Sequence, residues 1–415
     1  MKSLRRQRYS PPLGAFLAAS GFFAPPLASP PALPAPFQAA LVDLYGTDYD
    51  EYGVYVGKRN VEGGPRSDNT SHDSFRIVTG LKGDINDTWS YDVSYLYANT
   101  RSTSTYVNDF FAPNITKNID PDTADILYDV FTYQGVTPEQ ASALTGVGIL
   151  NGNTSTEVLQ GFATGDLFAL PTASEPIKVV VGYEWREEMF ERLSDTVFEE
   201  GQLLGQGGPT PSLVGGYNVT EFFGEANVPL LDSLALDVAY RYSDYSTVGG
   251  QDTYRLGLDW QPVDLARFRV GFNRAVRAPN VSELYTVQNL GLWAGVDPCG
   301  GIIATGESPE YTAAQCANTG VTAAQYGNIS LSPADQYNQI TGGNPDLQAE
   351  EADTITLGVV LTPTDDLSVS VDYWSIEIEE TITGIGAENI VRQCAENGLF
   401  CDAIVRSGSG SLWQG

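Results

Sequence analysis

Over much of the chain, apolar residues recur at every second position. Trp89, Tyr91, Val93, Tyr95 and Tyr97 alternate with Ser90, Asp92, Ser94, Leu96 and Ala98. Leu234, Leu236, Val238, Tyr240 and Tyr242 alternate with Ala235, Asp237, Ala239 and Arg241. The same pattern returns at Tyr254, Leu256, Leu258 and Trp260, and again at Ile355, Leu357, Val359 and Leu361. A helix would spread such residues around its axis, whereas a strand puts them all on one face. The pattern predicts about eleven strands, near 53–60, 74–83, 88–100, 155–165, 177–190, 217–228, 233–243, 251–260, 267–274, 353–361 and 367–379. Their lengths reach the ~9–11 residues with which a tilted strand crosses a bilayer. Strands of soluble proteins average about 5–6.

The connections sort by length. Short ones fall at 83–87, 171–176, 229–232, 261–264 and 362–366, and the others at 61–73, 101–154, 191–216, 244–250 and 275–352. Antiparallel neighbours reverse at each connection, so short turns collect at one end and long loops at the other. That is the layout of an antiparallel transmembrane β-barrel. One face of the strands is aliphatic, with Tyr and Trp toward the ends. The other carries Glu184, Arg186, Glu221, Glu225, Asp237, Arg241, Arg255, Asp259, Arg267 and Arg269, which suits a wet lumen. The competing reading is the solvent face of a soluble secreted β-sandwich with adhesive loops. Two stretches carry helix-start signals instead: Thr137 before Pro138-Glu139-Gln140, and Thr312 before Ala313-Ala314-Gln315.

Composition narrows the function classes. Asp and Glu number 52 against 22 Lys and Arg, a net charge of -30, and nucleic-acid binding needs the opposite sign. No run of 18 apolar residues occurs, so no transmembrane helix is expected; this says nothing against a barrel. His72 is the only histidine and no CxxC spacing exists, which argues against zinc. Cys299, Cys316, Cys394 and Cys401 suit two disulfides in an oxidising compartment. Sequence permits three connectivities. Nearest-neighbour pairing, 299 with 316 and 394 with 401, is expected because each pair sits within one predicted loop. At the N-terminus Lys2, Arg5, Arg6 and Arg8 precede an apolar stretch from Leu13 to Phe23, in the manner of a signal peptide. Proline clusters also allow a disordered leader. The expected division is a leader over 1–50 and a barrel region over 51–415.

Catalytic chemistry is not expected. A single histidine removes most Ser-His-Asp arrangements, no GxSxG occurs, and neither a cofactor nor a metal site is indicated. Residues 278–352 hold Glu283, Asp297, Glu307, Glu310, Asp335, Asp346, Glu350 and Glu351 and no Lys or Arg. As function, this would be a negative vestibule favouring neutral or cationic ligands; as structure, it would be loop solubility.

Two segments carry a family resemblance. Phe268, Val270 and Phe272 begin a strand that breaks at Arg277-Ala278-Pro279-Asn280, because Pro279 has no N–H to donate. Ser282-Glu283-Leu284-Tyr285 follows. Later come Gly343-Asn344-Pro345-Asp346-Leu347 and Glu350-Glu351, with Ala349 where the related pattern usually has proline. These segments resemble the late-barrel signatures of TonB-dependent outer-membrane receptors. The motif residues are Arg277, Pro279, Glu283, Leu284, Asn344, Pro345, Asp346, Leu347 and Glu350.

The resemblance implies a barrel of twenty-two strands around a plug, and TonB-energised uptake of a scarce nutrient such as an iron–siderophore complex. It implies a Gram-negative outer membrane with loops extracellular. The implied partners are outer-membrane lipid and an extracellular nutrient ligand. TonB itself would engage a full-length parent rather than this chain alone, since no plug-sized region precedes residue 53 and no TonB box is evident. About half a barrel is expected, as an open curved sheet. A passive porin-like barrel is the alternative. No ligand-binding residue can be assigned from sequence.

Overall fold

The computed structural model describes residues 4–9, 36, 39–40, 42–43, 64–119, 123–128, 137–206 and 208–413. The strand expected near 53–60 and most of the leader lie outside the described residues. Ten long strands follow one another: β2 Ser67–Asp84, β3 Trp89–Phe110, β4 Thr145–Ala169, β5 Pro176–Ser194, β6 Leu213–Leu231, β7 Leu234–Tyr245, β8 Gly249–Val263, β9 Ala266–Arg277, β14 Glu350–Thr364 and β15 Leu367–Glu379. A short β1, Leu4–Tyr9, pairs with Ser67–His72. Together they form one antiparallel sheet that runs from β1 to β15 and does not close on itself. No second sheet packs on it among the described residues, as a β-sandwich would require.

The register confirms the two faces. Leu236 lies opposite Leu258, Leu258 opposite Val270, Val270 opposite Leu357, and Leu357 opposite Tyr373. This apolar row crosses five strands, with Leu258, Val270, Leu357 and Tyr373 exposed and Leu236 half-buried. A soluble protein rarely leaves so continuous a patch uncovered; a bilayer covers it. Aromatic pairs mark its margins. Trp260 and Phe268 lie 5.5 Å apart near the short turns, and Tyr254 and Phe272 lie 6.0 Å apart toward the loops. All ten charged residues expected inside share the opposite face, as Glu184 opposite Glu221, Ala239 opposite Arg255 and Asp259 opposite Arg269 illustrate. β15 departs from this pattern. In its upper half the pattern inverts: the lumen side carries Trp374, Ile376 and Ile378, while Ser375, Glu377 and Glu379 share the outer side.

The sided loops are also as the spacing implies, with three corrections, the first being that β2 begins at Ser67, inside the connection expected over 61–73. The connection expected over 244–250 is only three residues, 246–248, and ends at Gly249 with φ +71, a left-handed position that suits glycine in such a hairpin. The loop expected over 101–154 is strand at both its ends, because β3 runs on to Phe110 and β4 starts at Thr145. These extensions carry no apolar alternation to signal them. Thr, Ser and Asn fit a pleated surface and pair across it. Thr103 Oγ1 donates to Asn151 Oδ1 at 3.0 Å, and Asn99 Nδ2 to Asn153 Oδ1 at 2.8 Å. Ser104 bonds Asp68 in the same manner.

Two compact units stand at the loop end. The first contains α1 Ala112–Ile119 and α2 Pro138–Leu144. Thr137 caps α2 and Gln140 completes the capping box, as its sequence implies. Phe110, Ile115, Leu144 and Leu204 form its core. Asp109 ties it to the 195–212 loop, where the small α3 Thr196–Glu199 lies: its carboxylate accepts from Gly205 N at 2.9 Å and Phe110 N at 2.8 Å. Burial pushes the Asp109 carboxyl up, partly offset by Arg66 at 3.7 Å.

The second unit contains α4 Val281–Tyr285, the β10 Asn289–Ala294 and β13 Gln336–Thr341 pair, and the small β11 Gly301–Ile302 and β12 Asn328–Ile329 pair. It also holds α5 Ala313–Asn318, capped by Thr312 with Gln315, and α6 Ala387–Asn397.

Candidate functional site

The mouth at the loop end of the sheet gathers the residues with most chemistry. Its floor is the junction of β9, β14 and β15. Arg277 ends β9 and Glu350 opens β14, and the antiparallel register sets them side by side. Arg277 Nε and Nη2 donate to the two Glu350 oxygens at 2.7 and 2.9 Å, a paired geometry that fixes orientation as well as charge. Arg277 Nη1 reaches Glu283 at 3.0 Å. Glu283 in turn accepts from Asn280 N while Asn280 accepts from Glu283 N, a capping box that starts α4 right after Pro279. Glu350 also accepts from Ile382 N at 2.6 Å, just beyond β15. One carboxylate therefore ties three loop stems. The Arg277 guanidinium, and after it Ile382 N–H, hold the Glu350 carboxyl down at about 2.

The second signature folds onto the first. Asn344 N donates to Glu283 O at 2.8 Å and Gly343 N to Thr286 O at 2.7 Å. A Cβ on Gly343 would come within 2.7 Å of the Leu284 backbone, so only glycine permits this approach. Pro279 and Leu284 are buried beneath the junction. Asn344 Oδ1 accepts from Asp346 N and turns the chain. Pro345 and Asp346 are exposed, and Leu347 is half-buried. The structure thus brings Arg277, Pro279, Glu283, Leu284, Asn344 and Glu350 into one knot and leaves Pro345 and Asp346 on its surface.

The vestibule reading of the acidic loop needs correction. Glu283 and Glu350 face Arg277, Glu351 faces Arg274 at 3.3 Å, Glu310 faces Arg392 at 2.6 Å, and Asp297 faces Arg406 at 2.6 Å. The loop holds no cation of its own because its counter-charges come from β9 and from the segment after β15. Most of these acids anchor the loop; Glu307, Asp335 and Asp346 stay exposed to solvent.

Below the mouth, the lumen wall holds a concavity of about 430 Å³ lined by Glu221, Phe223, Glu225, Arg241, Ser243 and Arg255 among others. Glu221 is buried and accepts from Arg241 Nη1 at 2.9 Å and Ser243 Oγ at 2.6 Å. The Arg241 guanidinium lies 4.6 Å above the Phe223 ring, a cation–π placement. Alternation put these residues on the inner face but could not cluster them. The disulfides join Cys299 to Cys316 and Cys394 to Cys401, all four in the second loop-end unit.

A sided antiparallel sheet with a lipid-type belt, a charged inner wall and a tied mouth defines an outer-membrane barrel wall. A family model described as TonB dependent receptor-like, beta-barrel, matches residues 27–407, and the chain belongs to that family. Among solved structures it is similar to a double mutant of the ferric enterobactin receptor PfeA from Pseudomonas aeruginosa. That match has 17% identity and TM-score 0.44, and covers 80% of this chain and 36% of that one. It is also similar to the siderophore receptor PirA from Acinetobacter baumannii, with 16% identity, TM-score 0.44, and 75% and 35% coverage. The RagAB peptide transporter matches at 13% identity and TM-score 0.43, with 78% and 32% coverage. The chain therefore spans about a third of the length of these structures. A comparison with curated proteins finds no match.

Proposed function

We propose that this chain forms part of the wall and external mouth of an outer-membrane receptor for TonB-energised uptake of a scarce nutrient, an iron–siderophore complex being the class the signatures suggest. The observation that carries the reading is the junction of both signatures at Arg277, Glu283 and Glu350, set on a sheet whose outer face suits lipid and whose inner face is charged. In this reading residues 51–415 are barrel, residues 1–50 are a leader whose Leu4–Tyr9 strand lies along the edge of β2, the two compact units are extracellular, and the lumen concavity at Glu221 and Arg241 faces the ligand path.

The test uses the full chain. In detergent it should bind a ferric siderophore, read by tryptophan fluorescence. In the outer membrane of living cells, accumulation should stop when the inner-membrane proton gradient is collapsed. Uptake indifferent to the gradient would remove energised transport. Steady conductance in a planar bilayer, with no energy source and no ligand preference, would favour a passive porin. Partition of the chain into buffer rather than detergent would remove the membrane assignment altogether.

A further inference from the structure

The β9–β14 loop and the segment after β15 leave the sheet at different strands, yet they share one interior. Arg406 of the segment and Asp297 of the loop are 3% and 1% exposed. Arg406 Nη1 and Nη2 donate to the two Asp297 oxygens at 2.6 and 3.0 Å, and Nε donates to Thr319 O at 3.0 Å. Trp413 Nε1 donates to Ser330 O at 2.8 Å, and Asn338 N to Leu412 O at 2.9 Å. Trp413 packs with Trp293 and Tyr337, whose rings stack at 4.9 Å. α5 lies against α6, with Cys394 Sγ 3.1 Å from Asn318 O and Arg392 paired to Glu310. Each half is internally stapled by its own disulfide.

The stems are thin by comparison. Residues 380–386 have no regular structure, and nothing lies within 4 Å of a Cβ built on Gly384. Their tie to the sheet runs through Ile382 N and Glu350, the same carboxylate that holds Arg277.

We infer that residues 287–341 and 387–413 form a single lid over part of the mouth, latched into one body by Asp297–Arg406 and hinged at Glu350. A buried, bidentate pair suits a latch. Removing either partner leaves the other charge buried and unpaired, so the two halves are held in one register or released together. Units that share a core also open as one cooperative body.

Native-state hydrogen exchange on the full chain in detergent tests this. In the unaltered protein, amides of α5, β13 and α6 should open along one common denaturant dependence. In Arg406→Gln all three should exchange at least about tenfold faster, while β7 and β8 stay unchanged. In Glu350→Gln the stems 278–286 and 380–386 should exchange faster and the lid interior should hold. Separate denaturant dependences for α5 and α6 would overturn the single body. Acceleration confined to 400–413 in Arg406→Gln would overturn the latch, and melting of the lid interior in Glu350→Gln would overturn the hinge. The denaturant series on unaltered protein decides the main point even if Arg406→Gln fails to fold.

Discussion

Arg277 and Glu350, 73 residues apart in the chain, meet through two parallel hydrogen bonds of 2.7 and 2.9 Å. The pairing has a definite pH signature. The Glu350 carboxyl is held at about 2 against an ordinary 4.5. A lowered folded-state value means that the contribution is complete above about 4.5 and is lost as pH falls toward about 2. Exchange of residues 278–286 should therefore rise across that window in the unaltered protein and show no such step in Glu350→Gln. A flat profile in both would deny the junction its role.

Asp109 should respond with the opposite sign. Burial raises its carboxyl above 3.8, so ionisation works against the fold, and its contribution is greatest in acid and declines as pH rises through the raised value. Asp109→Ala leaves Gly205 N and Phe110 N without their acceptor, at a cost of ~1–3 kcal/mol for the unsatisfied groups. Limited proteolysis should then cut the 200–210 loop sooner than in the unaltered protein.

The outer face admits a paired test. Leu236→Arg places a charge in the apolar row and should destabilise by ~2–4 kcal/mol. Ala239→Arg points to the side that holds Glu225 and Arg255 and should cost far less. Reversible unfolding in detergent or lipid would compare them, and equal costs would refute the inside–outside assignment.

The disulfides should differ in weight. Cys299–Cys316 closes a 17-residue separation and Cys394–Cys401 one of 7. Longer closures restrict an open chain more, within the ~2–4 kcal/mol typical of such bonds. Replacing the first pair by serine should lower lid stability more than replacing the second. Non-reducing peptide mapping should return these two links; a 316–394 link would contradict them.

Much of the sheet was readable because a half-buried strand must alternate. Trp89 to Tyr97 and Leu234 to Tyr242 face lipid on one side and water on the other, and that contrast is written into the residues. Thr103, Asn151 and Asn153 sit in stretches of β3 and β4 with mostly Ser, Thr, Asn and Gly at alternate positions on both faces, which leaves no contrast to detect. α6 carries its own local signals, with Glu388 and Arg392 paired one turn apart and Gly398 ending the helix at φ +69, but it is short and lies between loops with no periodic pattern around it. The Asn280-to-Glu283 capping box is likewise written in the sequence, in a helix of only five residues. Arg406 and Asp297, 109 residues apart, offer no local signal, and their meeting depends on two loops folding together. The motif residues were found by resemblance, while their roles as ties between stems emerged only from geometry.

The three-residue connection at 246–248 gives the mouth an uneven rim. To one side rise the polar extensions of β3 and β4, and to the other stands the latched unit. Between them the parapet drops to a sill at the β7–β8 hairpin, and the wall just inside carries Ser243, Gln251 and Arg241 of the lumen concavity. A solute arriving over that sill meets hydroxyl, amide and guanidinium groups without crossing either tall structure. The entrance thus has a low side, and the polar wall of the lumen begins beneath it.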